Sequence, residues 1–438
     1  MTGRTALLTD HYELTMVQAA RQSGTADRRA VFELFPRRLP QGRRYGVVAG
    51  VGRALDALEA FCFDAAALTS LEGLVDPDML EWLGGYRFSG DVWGYAEGET
   101  YFPHSPLLVV EGTFAEAVLL ETILLSIYNH DSAIASAASR MTLAAGDRPC
   151  IEMGSRRTHE EAAVAAARAA YVAGFDATSN LAARARHGVP SAGTAAHSFT
   201  LLHDTEADAF RAQVQSLGVG TTLLVDTYDV SEAVRLAVEV AGTSLGAVRL
   251  DSGDLGLVAR DVRAQLDALG ATETRIVVTS DLDEHAIAAL AAAPVDAYGV
   301  GTQLVTGSGH PTCGFVYKLV AREGDDGELV SVAKRSTDKV SIGGRKHALR
   351  RLDASGVAEA EVIGIGDAPA DWAGDGQGDG QRVGDRPLLV PLVRDGEVVG
   401  RGSLDEARSR HRTSLAELPR AVTMMSAGEP VIPTVFEQ

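Results

Sequence analysis

From about Gly146 to Lys318 the chain repeats one pattern, in which a short β-branched run ends in a polar or glycine-rich cluster and gives way to an amphipathic stretch. The stretches carry apolar residues at intervals of three and four, the helical period. Leu255, Val258, Val262, Leu266 and Leu269 form one such stripe, closed by Gly270, a glycine suited to a helix C-terminus. The clusters are Glu152 to Arg157, Asp176 to Asn180, Thr194 to His197, Asp226 to Asp229, Arg249 to Asp254, Ser280 to Glu284 and Gly299 to Thr302. Their spacing of roughly 20 to 30 residues is that of βα units, because parallel strands need a crossover. Asp229 with Glu232, and Asp281 with Glu284, read as helix N-termini.

About seven such units predict an α/β fold, an irregular TIM-like α/β barrel, with a doubly wound open sheet as the alternative. Residues 1–145 follow a different pattern and are assigned to an N-terminal α+β domain. There Leu107 to Met141 reads as helical, and Arg28 to Gly50 and Phe88 to Pro106 read as strands and turns. The barrel is assigned to residues 146–351. Residues 352–438 become a C-terminal extension packing back on the N-terminal region, with Asp371 to Gly380 (DWAGDGQGDG) as a loop or linker.

With 438 residues, 46% of them hydrophobic, the chain can build a substantial core without disulfide staples. Its three cysteines, Cys62, Cys150 and Cys313, form no CxxC and suggest neither a disulfide framework nor a zinc site, which points to a reducing cytoplasm. Asp10 and Glu13 interrupt the first apolar run, so no signal peptide is expected, and no uncharged apolar run reaches the roughly 18 residues of a membrane span. The 59 acids against 40 bases give a net charge of −19, which disfavours nucleic acid and membrane partners. An anionic ligand would need a local basic exception. From Lys318 to Arg351 nine bases face five acids, a candidate basic lip.

In a parallel barrel the strand C-termini converge, so the clusters share one face. Arg249, Asp251, Gly253 and Asp254 stand just before a helix, where a turn can present amides to a phosphate and the arginine a bidentate grip. The structural alternative is a helix cap with a surface ion pair. Gly299, Gly301 and Thr302 come late in the series, where barrels often bind phosphate, although tight turns also use Gly-x-Gly. His197, after Thr194 and two alanines, has room for a phosphoryl group on its ring, though a lone histidine is commonly structural. Arg156 and Arg157 suit an anion or a solvated strand end.

Taken together, the segments resemble the nicotinate phosphoribosyltransferase family. The resemblance begins at Leu7 to Met16 (LLTDHYELTM), passes through Phe32 to Phe35 and Glu121-Thr122, and strengthens at Glu152 to Arg157, Gly174 to Asn180, Gly193 to Ser198, Val248 to Asp254 and Gly299 to Thr302. His411 to Pro419 (HRTSLAELP) resembles bacterial members, whereas Gly343-Gly344 stands where the family more typically has Pro-Gly. The acids of Asp226 to Asp229 are not adjacent and no Thr-Gly phosphate loop follows, which disfavours the type I phosphoribosyltransferase fold.

The resemblance implies a homodimer of the type II phosphoribosyltransferase fold, whose N-terminal domain helps cover the partner's site. It implies conversion of nicotinate and 5-phosphoribosyl 1-pyrophosphate to nicotinate mononucleotide and pyrophosphate, the first step of NAD salvage from nicotinate. ATP is a co-substrate hydrolysed through a phosphohistidine, which falls on His197, and Mg2+ is required through ligands the sequence does not identify. Tyr12, Thr194, Arg249 and Thr302 match the family's substrate contacts, with Arg140 and Arg156 as further anion contacts. Asp251 or Asp254 would orient Mg2+ or ribose hydroxyls. Nicotinamide phosphoribosyltransferase and, further off, the quinolinate enzyme are the rival activities; a non-catalytic pyridine-nucleotide-binding barrel is the rival from another class.

Overall fold

The computed structural model describes residues 4–334, 342–366 and 385–437. They form two compact units, one of residues up to 136 together with those from 310 onward, the other of residues 137–309.

In the second unit six parallel strands lie in the order Ala177–Thr178, Cys150–Glu152, Ala297–Val300, Arg275–Ser280, Ala247–Leu250 and Thr222–Leu224. An isolated parallel bridge, Thr178 with Ser191, extends the first edge. The order is chain order wrapped into a ring, since the first strand pairs with the last through Tyr298 to Cys150, Gly299 to Ile151 and Val300 to Glu152. Every step along the chain therefore turns the same way. Right-handed crossovers then put all helices on one side, the topology of a barrel and not of a doubly wound sheet. The ring is irregular, because among the described residues no ladder joins Ser191 to Thr222.

The strands are short runs whose apolar residues are mostly buried, Ala247–Leu250 and Ala297–Val300 at three of four positions each, as a sheet covered on both faces requires. The polar clusters that follow them start the helices. Asn180, Thr205, Asp229 and Asp254 each accept a backbone N–H of the first turn, caps worth about 1 kcal/mol apiece. Asp229 caps Val230–Ala241 through the Glu232 N–H as its spacing predicted, while the cap of Glu284–Ala289 is Asp283 and not Asp281. Of the predicted stripe the helix Leu255–Ala268 buries Val262 and Leu266, leaves Leu255 and Val258 half-buried and ends before the exposed Leu269.

The first unit is built on an antiparallel seven-stranded sheet, in which Phe315–Glu323 and Leu108–Thr113 flank Arg29–Pro36. Leu108–Thr113 is thus a strand inside the stretch that reads as helical, which becomes helix only from Phe114; its β-branched Val109, Val110 and Thr113 favour the pleat. The pairing of Phe315–Glu323 with Arg29–Pro36 brings residues after 309 into this unit, whereas the sequence pattern drew its boundaries at 145/146 and 351/352. Phe32 stacks on Tyr317 with ring centroids 5.0 Å apart, and the core around them holds Leu34, Val110, Ile123 and Tyr128. Gly46 packs against the Tyr101 ring so closely that any Cβ there would collide with it.

The basic run after Lys318 is largely committed to ion pairs within this unit. Lys318 meets Glu121, Arg345 meets Glu111, Lys346 meets the buried Glu33, Arg350 meets Glu361, and Arg351 meets Glu437. Lys346 and Arg350 are themselves buried, so these positions are not the open basic lip that their composition suggests. Lys339 and the loop Asp371 to Gly380 lie outside the described residues. All three cysteines are buried free thiols, and no helix among the described residues is long and apolar enough to cross a membrane.

Candidate active site

A cavity of about 300 Å³ opens at the C-terminal ends of the parallel strands in the second unit. Arg156 and Arg157 from the turn after Cys150–Glu152, and Arg249 from the end of Ala247–Leu250, supply its positive charge. Asp251 and Asp281 supply two negative groups, and Gly301 and Thr302 complete the wall. Gly299 is required where it stands, because a Cβ would press on Thr279 and on the Met153 sulfur, 2.7 Å away. In a chain at −19, three arginines against two carboxylates make this a local basic exception.

Arg249 is the anchor. Its Nη1 donates to Thr194 Oγ1 at 2.6 Å, joining two positions 55 residues apart. Burial lowers its pKa, and Asp251 and Asp226 oppose that shift while Arg156 adds to it. The guanidinium is partly dehydrated, feels the charge of Arg156 and keeps a buried Nε with no partner among the described residues, an arrangement suited to an anion. Asp226 shapes the following turn, its Oδ2 accepting the Asp251 N–H and the Ser252 hydroxyl, both at 2.8 Å. Its Oδ1 is buried and has no partner among the described residues. Gly253 holds φ at +84°, which lets the turn close before Asp254 caps the next helix.

His197 lies at the edge of this constellation. Its Nε2 is 3.9 Å from Asp251 Oδ2, its Nδ1 is 3.3 Å from Thr227 Oγ1, and 43% of the side chain is exposed. Asp251 also accepts the Thr279 hydroxyl, so one carboxylate links the histidine to the cavity wall. The histidine is accessible, partnered at one ring nitrogen and faced by a carboxylate at the other, an arrangement that suits a nucleophile.

Arg156, Thr194, His197, Arg249, Asp251, Gly301 and Thr302 are thus brought together at or beside one cavity. Gly253 and Asp254 stand in the adjoining turn, with Asp254 Oδ1 accepting the Leu257 N–H at 3.2 Å. Arg140 does not line the cavity. Its Nε is 2.9 Å from Glu284 Oε1, both side chains are about 95% buried, and Glu284 Oε2 accepts the Ser308 hydroxyl at 2.7 Å. Tyr12 belongs to the first unit, on the helix His11–Gln22, about half exposed; burial first, then Glu121, Glu13 and Asp10, push its phenol up to about 12.

Sequence reasoning missed Met153, Thr279, Ser280 and Asp281 as wall residues. Asp281 carried a signal, since it sits in a polar cluster at a strand end, but it was read as a helix cap. Met153 and Thr279 carried none, being unremarkable outside their neighbours. A larger cavity, about 840 Å³, lies in the first unit beside Arg37, Arg38 and His310, which no sequence pattern had singled out. The smaller cavity is the candidate site because four separate strand-end clusters converge on it. Among the described residues no three His, Cys, Asp or Glu side chains form a metal-binding group.

Comparison with known proteins gives a consistent result. The sequence model of the family described as nicotinate phosphoribosyltransferase (NAPRTase) N-terminal domain matches residues 7–129. A nicotinate phosphoribosyltransferase of Mycobacterium tuberculosis is 57% identical over 436 residues, covering 98% of this chain and 94% of that protein. One from Bacillus subtilis is 39% identical, covering 83% of this chain and 76% of that one. The crystal structure of human nicotinic acid phosphoribosyltransferase superposes with a TM-score of 0.82 at 27% identity, over 98% of this chain and 97% of that chain.

Proposed function

The chain belongs to the nicotinate phosphoribosyltransferase family, and from that premise we propose that it joins nicotinate to 5-phosphoribosyl 1-pyrophosphate, releasing pyrophosphate, at the cavity of Arg156, Arg157 and Arg249. The observation that carries this reading is the convergence of three arginines on the strand ends of an otherwise acidic chain. Both substrates are anions, and the reaction asks for little covalent chemistry. As the diphosphate leaves C1 of the ribose, positive charge develops on the sugar and negative charge on the leaving group, so the main requirement is preorganised cationic groups. Arg249, Arg156, the wall at Gly301 and Thr302, and the turn at Gly253 hold the phosphates. A guanidinium pairs with the pyridine carboxylate.

Mg2+ is part of the proposal. The donor set suits it, because the orphaned Asp226 oxygen and Asp251 offer the one or two carboxylates that this ion usually combines with substrate phosphates. When bound it would neutralise diphosphate charge. ATP is the second co-substrate, with His197 as its phosphoryl acceptor. An Nδ1–H donated to Thr227 leaves the Nε2 lone pair free to attack the γ-phosphorus; the N–P bond forms as the bond to the ADP oxygen breaks. Asp251 steadies the positive ring, and phosphorylation adds negative charge next to the cavity. Water later takes the phosphoryl group.

The enzyme is proposed to be a cytoplasmic homodimer in which residues 1–145 help cover the partner's site and Tyr12 stacks on the pyridine ring. Product analysis with nicotinate and 5-phosphoribosyl 1-pyrophosphate, with and without ATP, tests the reading; equal or better turnover of nicotinamide overturns it. Acid-labile ³²P from γ-labelled ATP is expected on the wild type and not on His197→Ala. Full ATP stimulation in that variant would end the phosphohistidine assignment.

A further inference from the structure

The turn that carries Met153, Arg156 and Arg157 is held from beneath by a carboxyl group that does not line the cavity. Glu152 ends its strand fully buried, at 0% exposure. One carboxyl oxygen accepts the Gly154 N–H and the other accepts the Thr178 hydroxyl on the neighbouring strand. Thr178 Oγ1 in turn accepts the Asn180 N–H at 2.9 Å, and Asn180 Nδ2 donates to Ser155 Oγ at 3.0 Å. The chain of contacts thus returns to the turn it started from.

Backbone bonds fix the same segment, from Met153 N to Val300 O and from Arg157 N to Gly154 O, both 2.8 Å. Gly154 has no room for a Cβ, which would strike Val305 and sit 3.2 Å from Gly301 O. The turn is therefore clamped between the Gly301–Val305 segment and Glu152, with its two arginines projecting into the cavity. Among the described residues no cation pairs with Glu152, and burial raises its pKa against the two donors that lower it. A buried carboxyl group without a cation is costly to keep in a fold. What the carboxyl supplies is two acceptors, for the Gly154 N–H and the Thr178 hydroxyl, which an apolar residue of the same volume would leave unmet.

We propose that Glu152 is a positioning residue for the bound diphosphate, acting through Arg156 and Arg157. The inference rests on the phosphoribosyl-transfer reading of this cavity, and its test separates the two. Removing the carboxyl orphans a buried N–H and a hydroxyl and frees the turn, so Glu152→Ala is expected to raise the KM for 5-phosphoribosyl 1-pyrophosphate about tenfold or more. ATP-dependent ³²P labelling of His197 is expected to be unchanged. Glu152→Gln keeps an acceptor for Gly154 and meets Thr178 only through a reoriented hydroxyl, so it should recover part of the loss and serves where the alanine variant does not fold.

The decisive comparison is the Kd for inorganic pyrophosphate by calorimetry in the wild type, in Glu152→Gln and Glu152→Ala, in Arg156→Ala/Arg157→Ala, and in the triple variant. If Glu152 acts through the arginines, the triple variant binds no worse than the arginine double variant. Additive losses, or a loss falling equally on all substrates and on His197 labelling, would overturn the proposal. A wild type that makes no mononucleotide would refute the activity reading instead, and the pyrophosphate comparison would still decide the role of Glu152.

Discussion

Arg140 offers a sharp test, because the family resemblance makes it an anion contact and the structure makes it half of a buried ion pair. Consider Arg140→Met. The substitution leaves Glu284 about 95% buried, still accepting from Ser308 but without the guanidinium 2.9 Å away. Stranding one member of a buried pair costs about 3–5 kcal/mol, whereas an exposed pair would cost at most about 1 kcal/mol. For a unit of this size each kcal/mol moves the thermal midpoint by about 2–4 °C, so a fall of roughly 6–20 °C is expected. The paired variant Arg140→Met/Glu284→Met should recover much of it, since replacing both charges with apolar groups is often near neutral. The assay is thermal unfolding followed by circular dichroism, alongside the KM for 5-phosphoribosyl 1-pyrophosphate measured at 25 °C, below the transition. A midpoint within a degree or two of wild type, with that KM raised tenfold or more, would refute the ion-pair reasoning and restore the anion-contact role.

Two further outcomes follow from the same geometry. Arg249→Lys keeps the charge but loses the fork that spans Thr194 and the cavity, and should raise the KM for 5-phosphoribosyl 1-pyrophosphate about 10–100-fold in steady-state kinetics; an unchanged KM would remove Arg249 from the site. Glu206 is nearly buried, one oxygen has no partner among the described residues, and burial, aided by Glu232 and Asp229, raises its pKa from 4.5 to about 7. A carboxyl whose folded pKa is raised holds its proton more tightly in the native state, so its contribution to stability is present below about 4.5 and is lost as pH rises towards 7. Glu206→Gln should therefore flatten the decline of the thermal midpoint across that window and raise it above pH 7, and an unaltered slope would count against this account.

Much of the second unit was legible in the sequence for one physical reason. A parallel strand must be followed by a crossover, so strand-end clusters recur at βα spacing and converge whether or not any one of them is decisive. That is how Thr194 and Arg249, 55 residues apart, come within 2.6 Å. What was not legible depends on partners far along the chain. Nothing around Phe315 announces that it will pair with Pro36, and nothing near Glu33 in the chain announces that Lys346 will reach it in the core. The bases after Lys318 misled for the same reason, since composition counts charges and not their partners. Leu108–Thr113 was absorbed into the helix beside it because an apolar run has no period of its own. Asp281 and Asp283 lie two residues apart with similar capping potential, and only the backbone path decides which one caps and which one faces the cavity.

The ring of strands is broken between Ser191 and Thr222, and His197 is carried in that interval. Between the six paired strands, shifting a strand-end loop pulls on a ladder of backbone hydrogen bonds. Here it does not. Across that gap the segment bearing His197 meets the neighbouring strand ends through side chains, Thr194 with Arg249 and His197 with Thr227, so the phosphorylation proposed for His197 would add its charge where no ladder has to break.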